Sequence, residues 1–471
     1  MKIYSENLYP AVGGVLKILD KFYSLRSKIY KIMAKIKKFA KKQTKMKKEK
    51  IIIQSPKGMR DVLPADQLYW EKVRKSANKI ADSFNFSRID TPIMESLEVF
   101  ERTGEATDIV EKQMYFVKAK GEKKLVLRPE LTAPVMRAYI QHGLAKMPQP
   151  MKLFYTGPLF RYEQPQSGRF RQHHQAGFEI LGGAFDSIYD ALVILTLFRL
   201  LEELRIKNLI VQINSIGCRT CRPNYVKKLH EYYRNKKDKI CKDCRQRLPV
   251  RPLRLLDCKN ETCIQIKAGA PLIIDKLCNN CKKHLQQVLE HLDNLSVPYS
   301  INPYLVRGLD YYNGPVFEIF IEQASSEINF ALASGGRYDY LAEMMGGGKT
   351  FGIGGGMGME RAIEVMKFQQ LSGLAKGEPK VFLVHIGDEA KKKNLVIFEE
   401  LRKAGIKASE SFGKESLKSQ LHSADKANAA LALILGQKEV FEETIIIRNM
   451  KTGVQETVPI SKIVDEVKKR I

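Results

Sequence analysis

All eight cysteines of this 471-residue chain lie between Cys218 and Cys281. Around them, from 218 to about 300, basic residues outnumber acidic ones by 18 to 8. Strand-like sequence stops before this segment, with LIVQIN at 209–214, and resumes after it at 301. Because the strand pattern breaks off and restarts, we predict that the segment is an insertion. The sheet domain around it is then built from two separate stretches of chain.

The composition is that of a globular protein with a strongly basic surface. Hydrophobic residues make up 44% of the chain, and the formal net charge is +27. Such a charge favours a polyanionic partner or an anionic membrane surface. No run approaches about 18 apolar residues, which argues against a membrane span, and no apolar signal region precedes a cleavage site, which argues against secretion. We therefore expect a reducing compartment, the cytoplasm.

The first 50 residues hold 15 lysines and arginines against three acidic residues. A basic, acid-poor segment of this kind is most simply a solvated tail. An organellar presequence and a surface-binding amphipathic helix are the alternatives. We treat residues 1–45 as a basic extension, disordered or helical, outside the fold.

Periodicity and turn residues divide the rest of the chain. Pro64 suits the first turn of a helix with an apolar stripe, and Asp186 suits the N-cap of another helix. A linker at 372–378 opens a last unit in which helices at about 388–404 and 414–427 alternate with strands, as in a small α/β domain. We predict one sheet domain in two parts, residues 46–217 and 301–371. The insertion between them is 218–300, and the last domain is 379–471.

Residues 160–175, FRYEQPQSGRFRQHHQ, concentrate hydrogen-bonding side chains after a predicted strand at 152–160. Guanidinium groups make forked, charge-assisted hydrogen bonds to phosphate. Surface carboxylates are the alternative partners, but the loop itself offers only Glu163. We therefore predict that Arg161 and its neighbours bind phosphate.

Two common nucleotide-binding patterns are incomplete here. GGGKT at 346–350 has Glu343 where a P-loop needs a glycine. FGIGGGMGMER, which ends at Arg361, has methionine at both positions for the third glycine of a Rossmann fingerprint. Its small residues would instead let a ligand approach the backbone. A further arginine, Arg307, precedes a glycine and two tyrosines in VRGLDYYNGPVFE.

These arginines, in this order, carry a resemblance. FRYE at 160–163 and the distant GMGMER at 356–361 resemble motifs 2 and 3 of the class II aminoacyl-tRNA synthetases, and the Pro92 segment resembles their motif 1, which forms the dimer interface. LRPELTAPVMR, RGLDYY and SGGRYD narrow the resemblance to the histidyl-tRNA synthetase family, over about residues 55–471. The implied fold class is α+β: an antiparallel class II sheet flanked by helices, a small helical cysteine-rich insertion and a C-terminal α/β anticodon-binding domain.

The resemblance also implies roles for individual residues. Arg161 would hold the α-phosphate of ATP and the histidine carboxylate, Arg361 the γ-phosphate, and Arg307 a further position at the α-phosphate, so these three are the expected catalytic residues. Glu163 and Arg169 would contact other parts of ATP. The expected histidine-binding residues are Glu130, Leu131, Thr132, Arg161, Gln175, Glu179, Arg307, Tyr311, Tyr312 and Tyr338.

Within that set, Glu179 and Tyr312 match the residues that read the two imidazole nitrogens. Core packing against the sheet is the alternative for the tyrosines. The implied activity is the activation of histidine by ATP, with Mg²⁺ on the phosphates, and its transfer to tRNA(His) by a homodimer. Two other functions stay open: a regulatory paralogue of ATP phosphoribosyltransferase, which usually lacks the catalytic arginines, and a zinc-dependent nucleic-acid-binding module, which would leave RGLDYY without a role.

The cysteines form two sets by their spacing. One set has the spacing of a four-thiolate structural zinc site, Cys218-x2-Cys221-x19-Cys241-x2-Cys244. The remaining four could form a second site, Cys258, Cys263, Cys278 and Cys281. Buried free thiols are the alternative. If zinc binds, we expect it to brace the insertion and to take no part in the chemistry.

Overall fold

The computed structural model describes residues 24–38, 53–102, 113–118, 121, 124–164, 168–322, 328, 330–374 and 379–471. The chain divides into a first unit, residues 1–61, and a second unit, residues 62–471. In the first unit, residues 24–38 form helix α1. The rest of the extension 1–45 and the end of the linker 372–378 lie outside the described residues.

The second unit begins with the chain that precedes the cysteine-rich segment. Its elements are α2 (Pro64–Ser83), β1 (Ser87–Arg88), β2 (Met94–Ser96), α3 (Glu98–Glu101), β3 (Tyr115–Val117), β4 (Leu125–Leu127), α4 (Thr132–Gln141), β5 (Met151–Phe160), β6 (Gln172–Leu181), α5 (Ser187–Glu203) and β7 (Leu209–Ser215). Pro64 opens α2, as predicted. The N-cap prediction is also confirmed, because the Asp186 carboxylate accepts a hydrogen bond from the Ile188 amide at 2.9 Å.

The cysteine-rich segment is helical, and the chain then returns to strands. The helices are α6 (Arg222–Arg234), α7 (Lys242–Arg247), α8 (Glu261–Lys267) and α9 (Asn279–Asn294). The elements that follow are β8 (Tyr299–Ile301), β9 (Asn313–Ile321), β10 (Ala333–Arg337), α10 (Leu341–Met344), β11 (Gly352–Gly358) and α11 (Met359–Phe368). Short 3₁₀ turns occur at Leu144–Lys146, Lys237–Lys239, Pro252–Leu255, Ile274–Lys276 and Ile460–Lys462.

One large sheet holds strands from both sides of the cysteine-rich segment. Its eight strands run in the order β1-β5-β6-β11-β10-β9-β7-β8. The neighbours from β5 to β7 are all antiparallel, and only the edge pairs β1–β5 and β7–β8 are parallel. β7 ends just before the segment and pairs with β9, which follows it. One sheet therefore contains strands from before and after the cysteine-rich segment. A separate three-stranded sheet has the order β2-β4-β3.

The last 93 residues form a five-stranded sheet with helices and apolar clusters of its own. The elements are β12 (Val381–His385), α12 (Asp388–Lys403), β13 (Ala408–Glu410), α13 (Leu417–Lys426), β14 (Leu431–Leu435), α14 (Gln437–Phe441), β15 (Thr444–Asn449), β16 (Gln455–Pro459) and α15 (Ile463–Lys468). The strand order is β13-β12-β14-β15-β16. Strands alternate with helices in the first part, as the periodicity predicts.

The insertion shares the hydrophobic core of the large sheet. Tyr225 and Leu229 of α6, and Val288 and Leu292 of α9, are fully buried in one cluster with the residues of β6 and α5. The insertion is therefore packed against the sheet along its first and last helices. No helix in the described part of the chain is long and apolar enough to cross a membrane.

Candidate active site

Glu179 of β6 is completely buried in the large sheet. Its Oε1 atom accepts hydrogen bonds from Thr132 Oγ1 and from the Tyr155 hydroxyl, each at 2.8 Å, and its Oε2 atom accepts one from the Tyr338 hydroxyl. A carboxylate has about four lone-pair sites, so one acceptor site, on Oε2, is left for a ligand. Burial raises the pKa of Glu179 to about 7, against the effect of the three hydroxyl donors, which lower it.

The glycines of β11 make room for the side chains of β6. Gly354 is the register partner of Glu179, and a Cβ atom on Gly354 would overlap the Glu179 carboxylate. A Cβ atom on Gly356 would likewise overlap the amide of Gln175. The sequence suggested that these glycines admit a ligand to the backbone, but protein side chains take up the space above Gly354 and Gly356.

Glu130 lies beside Glu179 because it caps helix α4. Its two carboxylate oxygens accept hydrogen bonds from the amides of Thr132, at 2.6 Å, and Ala133, at 2.9 Å. Leu131 is the buried residue at the start of the helix, and the Thr132 side chain that follows it reaches Glu179. Burial raises the pKa of Glu130 to about 6, although the two amides lower it.

Three buried tyrosines surround these carboxylates. Tyr311, Tyr312 and Tyr338 are 2%, 5% and 1% exposed. The ring centroid of Tyr311 lies 4.7 Å from that of Tyr312 and 5.9 Å from that of Tyr338. The Tyr311 hydroxyl lies 3.5 Å from Glu130 Oε2. The predicted histidine-binding residues therefore come together at one place, from α4, β6 and the chain around β9 and β10.

Backbone carbonyl groups hold two of the predicted arginines. Arg161 Nε donates to the Pro129 carbonyl at 2.8 Å. Arg361 donates from Nε to the Gly168 carbonyl and from Nη1 to the Ala331 carbonyl, each at 2.8 Å. A carbonyl group orients a guanidinium group without neutralising its charge. Both arginines thus keep their charge for an anionic ligand.

A single carboxylate, that of Glu163, lies between Arg161 and Arg169, at 4.0 and 3.5 Å from their Nη1 atoms. Burial, Arg169 and Arg161 lower the pKa of Arg361. Burial, Arg161 and Arg361 lower the pKa of His173 to about 3, so this imidazole is neutral. Cationic side chains therefore predominate in this region, although Glu163 and Glu318 act on Arg361 in the opposite direction. Residues 165–167 of the loop lie outside the described residues.

Arg307 is the third predicted catalytic arginine. It donates to Glu318 Oε1 at 2.8 Å and to Ser334 Oγ at 3.0 Å, and its guanidinium carbon lies 5.3 Å from the Tyr312 ring centroid. Burial alone would lower the pKa of Arg307, but Tyr312 and Glu318 raise it, so the side chain is cationic. Its buried Nε has no hydrogen-bond partner among the described residues. Arg307 thus joins the tyrosine group to the positive region.

Tyr155 and Arg128 belong to this site, although the sequence did not indicate them. Tyr155 donates to Glu179, and its register partner Gly177 leaves space for its ring, where a Cβ atom would overlap it. Arg128 donates from Nη1 to the Thr91 carbonyl at 2.6 Å and also bonds the neighbouring strand β5, which fixes the backbone ahead of Glu130. The pairing of Tyr155 with Gly177 depends on the strand register, which the sequence alone does not give.

The cysteines are grouped differently from the prediction. The structure forms a terminal quartet, Cys218, Cys221, Cys278 and Cys281, and an inner quartet, Cys241, Cys244, Cys258 and Cys263. Within each quartet all sulfur atoms lie within 4.8 Å of one another. The predicted site of Cys218, Cys221, Cys241 and Cys244 is therefore wrong. Spacing favours consecutive pairs, but the two ends of the insertion meet and bring its first and last pairs together.

An antiparallel sheet that presents a buried carboxylate beside oriented arginines, followed by an α/β domain, is the arrangement implied by the resemblance to class II aminoacyl-tRNA synthetases. Residues 58–362 match the family model described as histidyl-tRNA synthetase, and residues 380–470 match the one described as anticodon binding domain. The chain belongs to the histidyl-tRNA synthetase family.

Relatives agree over nearly the whole length. The chain is 43% identical over 419 residues to a histidine–tRNA ligase of Desulfitobacterium hafniense, covering 89% of this chain and 98% of that relative. It is 44% identical over 421 residues to a histidine–tRNA ligase of Dehalococcoides mccartyi, covering 89% and 100%. The crystal structure of apo S. aureus histidyl-tRNA synthetase has a TM-score of 0.73 at 32% identity, covering 88% of this chain and 100% of that one. The predicted family, fold class and enzyme class, a ligase, are confirmed.

Proposed function

We propose that this protein joins histidine to ATP as histidyl-adenylate, with release of pyrophosphate, and then transfers the histidyl group to the 3′ end of tRNA(His). The observation that carries this proposal is the position of the Glu179 group next to arginines that acids neutralise only in part. The buried Glu179 carboxylate, with one acceptor site left, suits a small polar ligand with an N–H donor. The neighbouring arginines suit a polyphosphate.

In this proposal Glu179 reads one imidazole nitrogen of histidine through its remaining acceptor site, and Tyr312 reads the other. Tyr311 and Tyr338 line the ring, and Leu131 fixes the start of α4. The contacts to the α-amino and carboxylate groups come from Glu130, Thr132 and Gln175. An amino acid without ring nitrogens would leave Glu179 unpaired in a buried site, which supports discrimination of about 10⁴-fold.

The activation step joins two anions, and the arginines lower its barrier. One oxygen of the histidine carboxylate attacks the α-phosphorus, and the bond from that phosphorus to the bridging oxygen breaks, which releases pyrophosphate. Arg161 and Arg307 hold the α-phosphate and Arg361 the γ-phosphate, while Glu163 and Arg169 contact other parts of ATP. Fixed cations aimed at the charge of the transition state are the main source of acceleration, and positioning supplies most of the rest.

A Mg²⁺ ion accompanying ATP would neutralise part of the charge on the phosphates. Glu318, which Arg307 holds at 2.8 Å, offers carboxylate oxygens of the kind that this ion prefers. In the second step the terminal ribose hydroxyl of the tRNA attacks the histidyl carbonyl carbon, and AMP leaves. No side-chain nucleophile is required in either step.

The partners follow from the surface and from the last domain. The net charge of +27 suits tRNA, and residues 379–471 would read the anticodon. Ile93, Met94 and Phe116, in and beside the three-stranded sheet, are 46%, 50% and 63% exposed. Such apolar exposure next to the Pro92 segment supports a homodimer interface there. We place the enzyme in the cytoplasm.

The test is ATP–pyrophosphate exchange with each of the twenty amino acids. We expect exchange with histidine only, and subsequent charging of tRNA(His). The variant Arg402→Ala, which removes an exposed arginine paired with Glu399 in α12, should leave exchange unchanged and serves as a control for loss of positive charge. Exchange with no amino acid, or with one other than histidine, would refute the proposal.

A further inference from the structure

Three sulfur–sulfur distances in the terminal quartet fit a tetrahedron of ligands around one ion. Cys218 Sγ lies 3.8 Å from Cys221 Sγ and 3.9 Å from Cys278 Sγ, and Cys221 Sγ lies 3.8 Å from Cys281 Sγ. Four thiolates that each lie about 2.3 Å from a tetrahedral Zn²⁺ are about 3.8 Å apart. A disulfide would bring two sulfurs to about 2.05 Å. These distances therefore fit ligation and not oxidation.

The inner quartet has the same dimension, with 3.8 Å between Cys241 Sγ and Cys258 Sγ. Backbone amides donate to sulfur in both quartets, from Thr220 to Cys218 at 3.4 Å and from Cys241 to Cys263 at 3.2 Å. Buried thiols pack against carbon as readily as against one another, so packing alone does not predict complete sets of four. All eight cysteines of the chain fall into the two quartets, with none left over.

Each quartet also has a path for an ion. A cavity of about 370 Å³ is lined by Cys218, Cys278 and Cys281. Another cavity, of about 420 Å³, is lined by Cys241 and Cys258. A site with four thiolates, the right spacing and an entry path meets the criteria for a structural metal site, and tetrahedral sulfur ligation selects zinc or iron among common metals.

The two quartets join different parts of the chain. In the terminal quartet, Cys218 and Cys278 are 60 positions apart, and so are Cys221 and Cys281. Cys218 and Cys221 follow β7, where the insertion leaves the sheet, and Cys278 and Cys281 lie at the start of α9, the last helix before the chain returns to the sheet at β8. In the inner quartet, Cys241 and Cys258 are only 17 positions apart, inside the insertion. An ion at the terminal quartet would thus fasten both ends of the insertion, and an ion at the inner quartet would brace its middle.

One chain of contacts runs from the terminal quartet to Tyr312. Arg222 follows Cys221 directly, and its guanidinium donates to the carbonyls of Ile216, at 3.0 Å, and of Tyr312. A Cβ atom on Gly217, whose φ is +71°, would lie 2.8 Å from Cys221 Sγ. The backbone that carries Tyr312 is therefore held by the residue next to a ligand.

A second chain of contacts runs through α9 to Tyr338. His284, one turn after Cys281, lies with Nε2 3.0 Å from Asp190 Oδ2. Arg337 donates to the same carboxylate, and both Asp190 and Arg337 are almost completely buried. The residue after Arg337 is Tyr338, which donates to Glu179. The start of α9 is thus linked to the histidine pocket by a buried ion pair.

We propose that each quartet binds one Zn²⁺, and that the ion at the terminal quartet, and not the one at the inner quartet, positions the tyrosines of the histidine pocket. The metal sites themselves are independent of the proposed function, whereas the positioning of the pocket rests on it. The cysteines of the terminal quartet are positioning residues in this proposal, and they act through Arg222 and α9.

Elemental analysis of protein purified without added metal tests the two sites. We expect two zinc ions per chain, and one in each of the variants Cys278→Ser and Cys258→Ser. Cys278→His supplies a nitrogen ligand and should restore the second ion. Thr220→Ala leaves all four sulfurs in place and should keep both ions.

Iron in place of zinc, fewer than about one zinc per chain, or serine variants that lose no zinc would overturn the metal sites. With one zinc per chain, the quartet whose serine variant loses none would be excluded. If a serine variant does not fold, the wild-type protein decides the question after treatment with a chelator and titration with Co²⁺. The intense sulfur-to-cobalt absorption should rise over two equivalents, and its absence would overturn both sites.

The positioning role is tested by ATP–pyrophosphate exchange. Cys278→Ser should raise the KM for histidine about tenfold and change the KM for ATP by less than about twofold, because Arg161 and Arg361 are held by carbonyls outside the insertion. Cys258→Ser should not change the KM for histidine, because the contacts beside Cys258 lead through Asp257 and Arg254 to the Arg307 carbonyl and not to the tyrosines. Equal effects of the two variants, or no effect of Cys278→Ser, would refute positioning and leave the metal result standing. If the wild-type enzyme showed no exchange, the proposed function and positioning would both be refuted, while the zinc content would still decide the metal sites.

Discussion

The two halves of the active site satisfy their charges in opposite ways. At Glu179, three hydroxyl groups occupy three of about four acceptor sites of a fully buried carboxylate. Around Arg161 and Arg361, guanidinium groups are oriented by carbonyl oxygens, and one carboxylate, Glu163, is shared by Arg161 and Arg169. In the Glu179 half, the protein itself supplies nearly all of the hydrogen-bond donors. In the arginine half, an anionic ligand is needed to balance the charge of the guanidinium groups.

This difference separates recognition from reactivity. A nearly saturated pocket discriminates because a wrong ligand leaves its last acceptor unpaired. Cations that the protein does not neutralise act on charge that develops during the reaction. Substitutions in the first half should therefore change mainly the KM for histidine, and substitutions in the second half should change mainly kcat. The following experiments test that division, beginning with the largest expected effect.

Arg307→Ala should lower kcat for ATP–pyrophosphate exchange by about 10³-fold. Arg307 is cationic and buried, and Glu318 and Ser334 hold its guanidinium group in place, so we expect it to act mainly on the charge of the transition state. The KM for histidine should change by less than about fivefold. Steady-state kinetics with Arg402→Ala as the control measure both constants. A rise in KM as large as the fall in kcat would contradict the division.

Glu179→Gln should raise the KM for histidine about 10²-fold and leave the KM for ATP nearly unchanged. The amide has the same size, but its NH₂ group takes the place of an acceptor that faces hydroxyl donors. Glu202→Gln, at an exposed residue of α5 that pairs with Arg199, is the matched control. If the loss appeared in kcat alone, Glu179 would belong to the reactive half.

The raised pKa of Glu179 predicts a pH dependence of stability without ligand. The pKa is about 7 in the folded protein against 4.5 for the ordinary group, so the folded state holds this proton more tightly than the unfolded state. The free energy of unfolding should fall as pH rises from about 4.5 to about 7, by about 3 kcal/mol from this group. Glu130, with a pKa of about 6, acts in the same direction.

Thermal unfolding at pH 5 and pH 8 measures this effect. Wild-type protein should lose more stability between the two values than Glu179→Gln, which has no group to titrate there. Glu202→Gln should follow the wild type. Equal losses in wild type and Glu179→Gln would show that Glu179 titrates normally, and the picture of a saturated, desolvated carboxylate would be wrong.

Local features of the fold could be predicted from the sequence. The start of α2 at Pro64 and the cap of α5 at Asp186 depend on residues within one helical turn. The order of the large sheet could not be predicted in this way, because β11 pairs with β6 across the whole insertion. Periodicity indicates that a strand exists but not which strand lies beside it. The family resemblance implied an antiparallel sheet but no strand order.

In the site, too, contacts between residues that are distant in sequence could not be predicted. The predicted residues converge, since the motifs fix their types and order. Tyr155 was missed because its partner Glu179 is 24 positions away on the neighbouring strand, a contact that depends on register. The cysteine pairing was wrong for a related reason, because sequence spacing ranks near pairs first, whereas the terminal quartet joins residues 60 positions apart.

The smallest expected effect concerns the glycines of β11. A Cβ atom on Gly356 would overlap the amide of Gln175, the far end of a half-buried, flexible side chain, so Gly356→Ala should move Gln175 and spare the backbone. We expect the KM for histidine to rise about tenfold at unchanged kcat. Gly348→Ala, where a Cβ atom meets nothing within 4 Å, is the matched control. Because Gln175 stands on β6 between Glu179 and the arginine loop, a change in kcat instead would place it with the reactive half and move the boundary between the two halves toward Glu179.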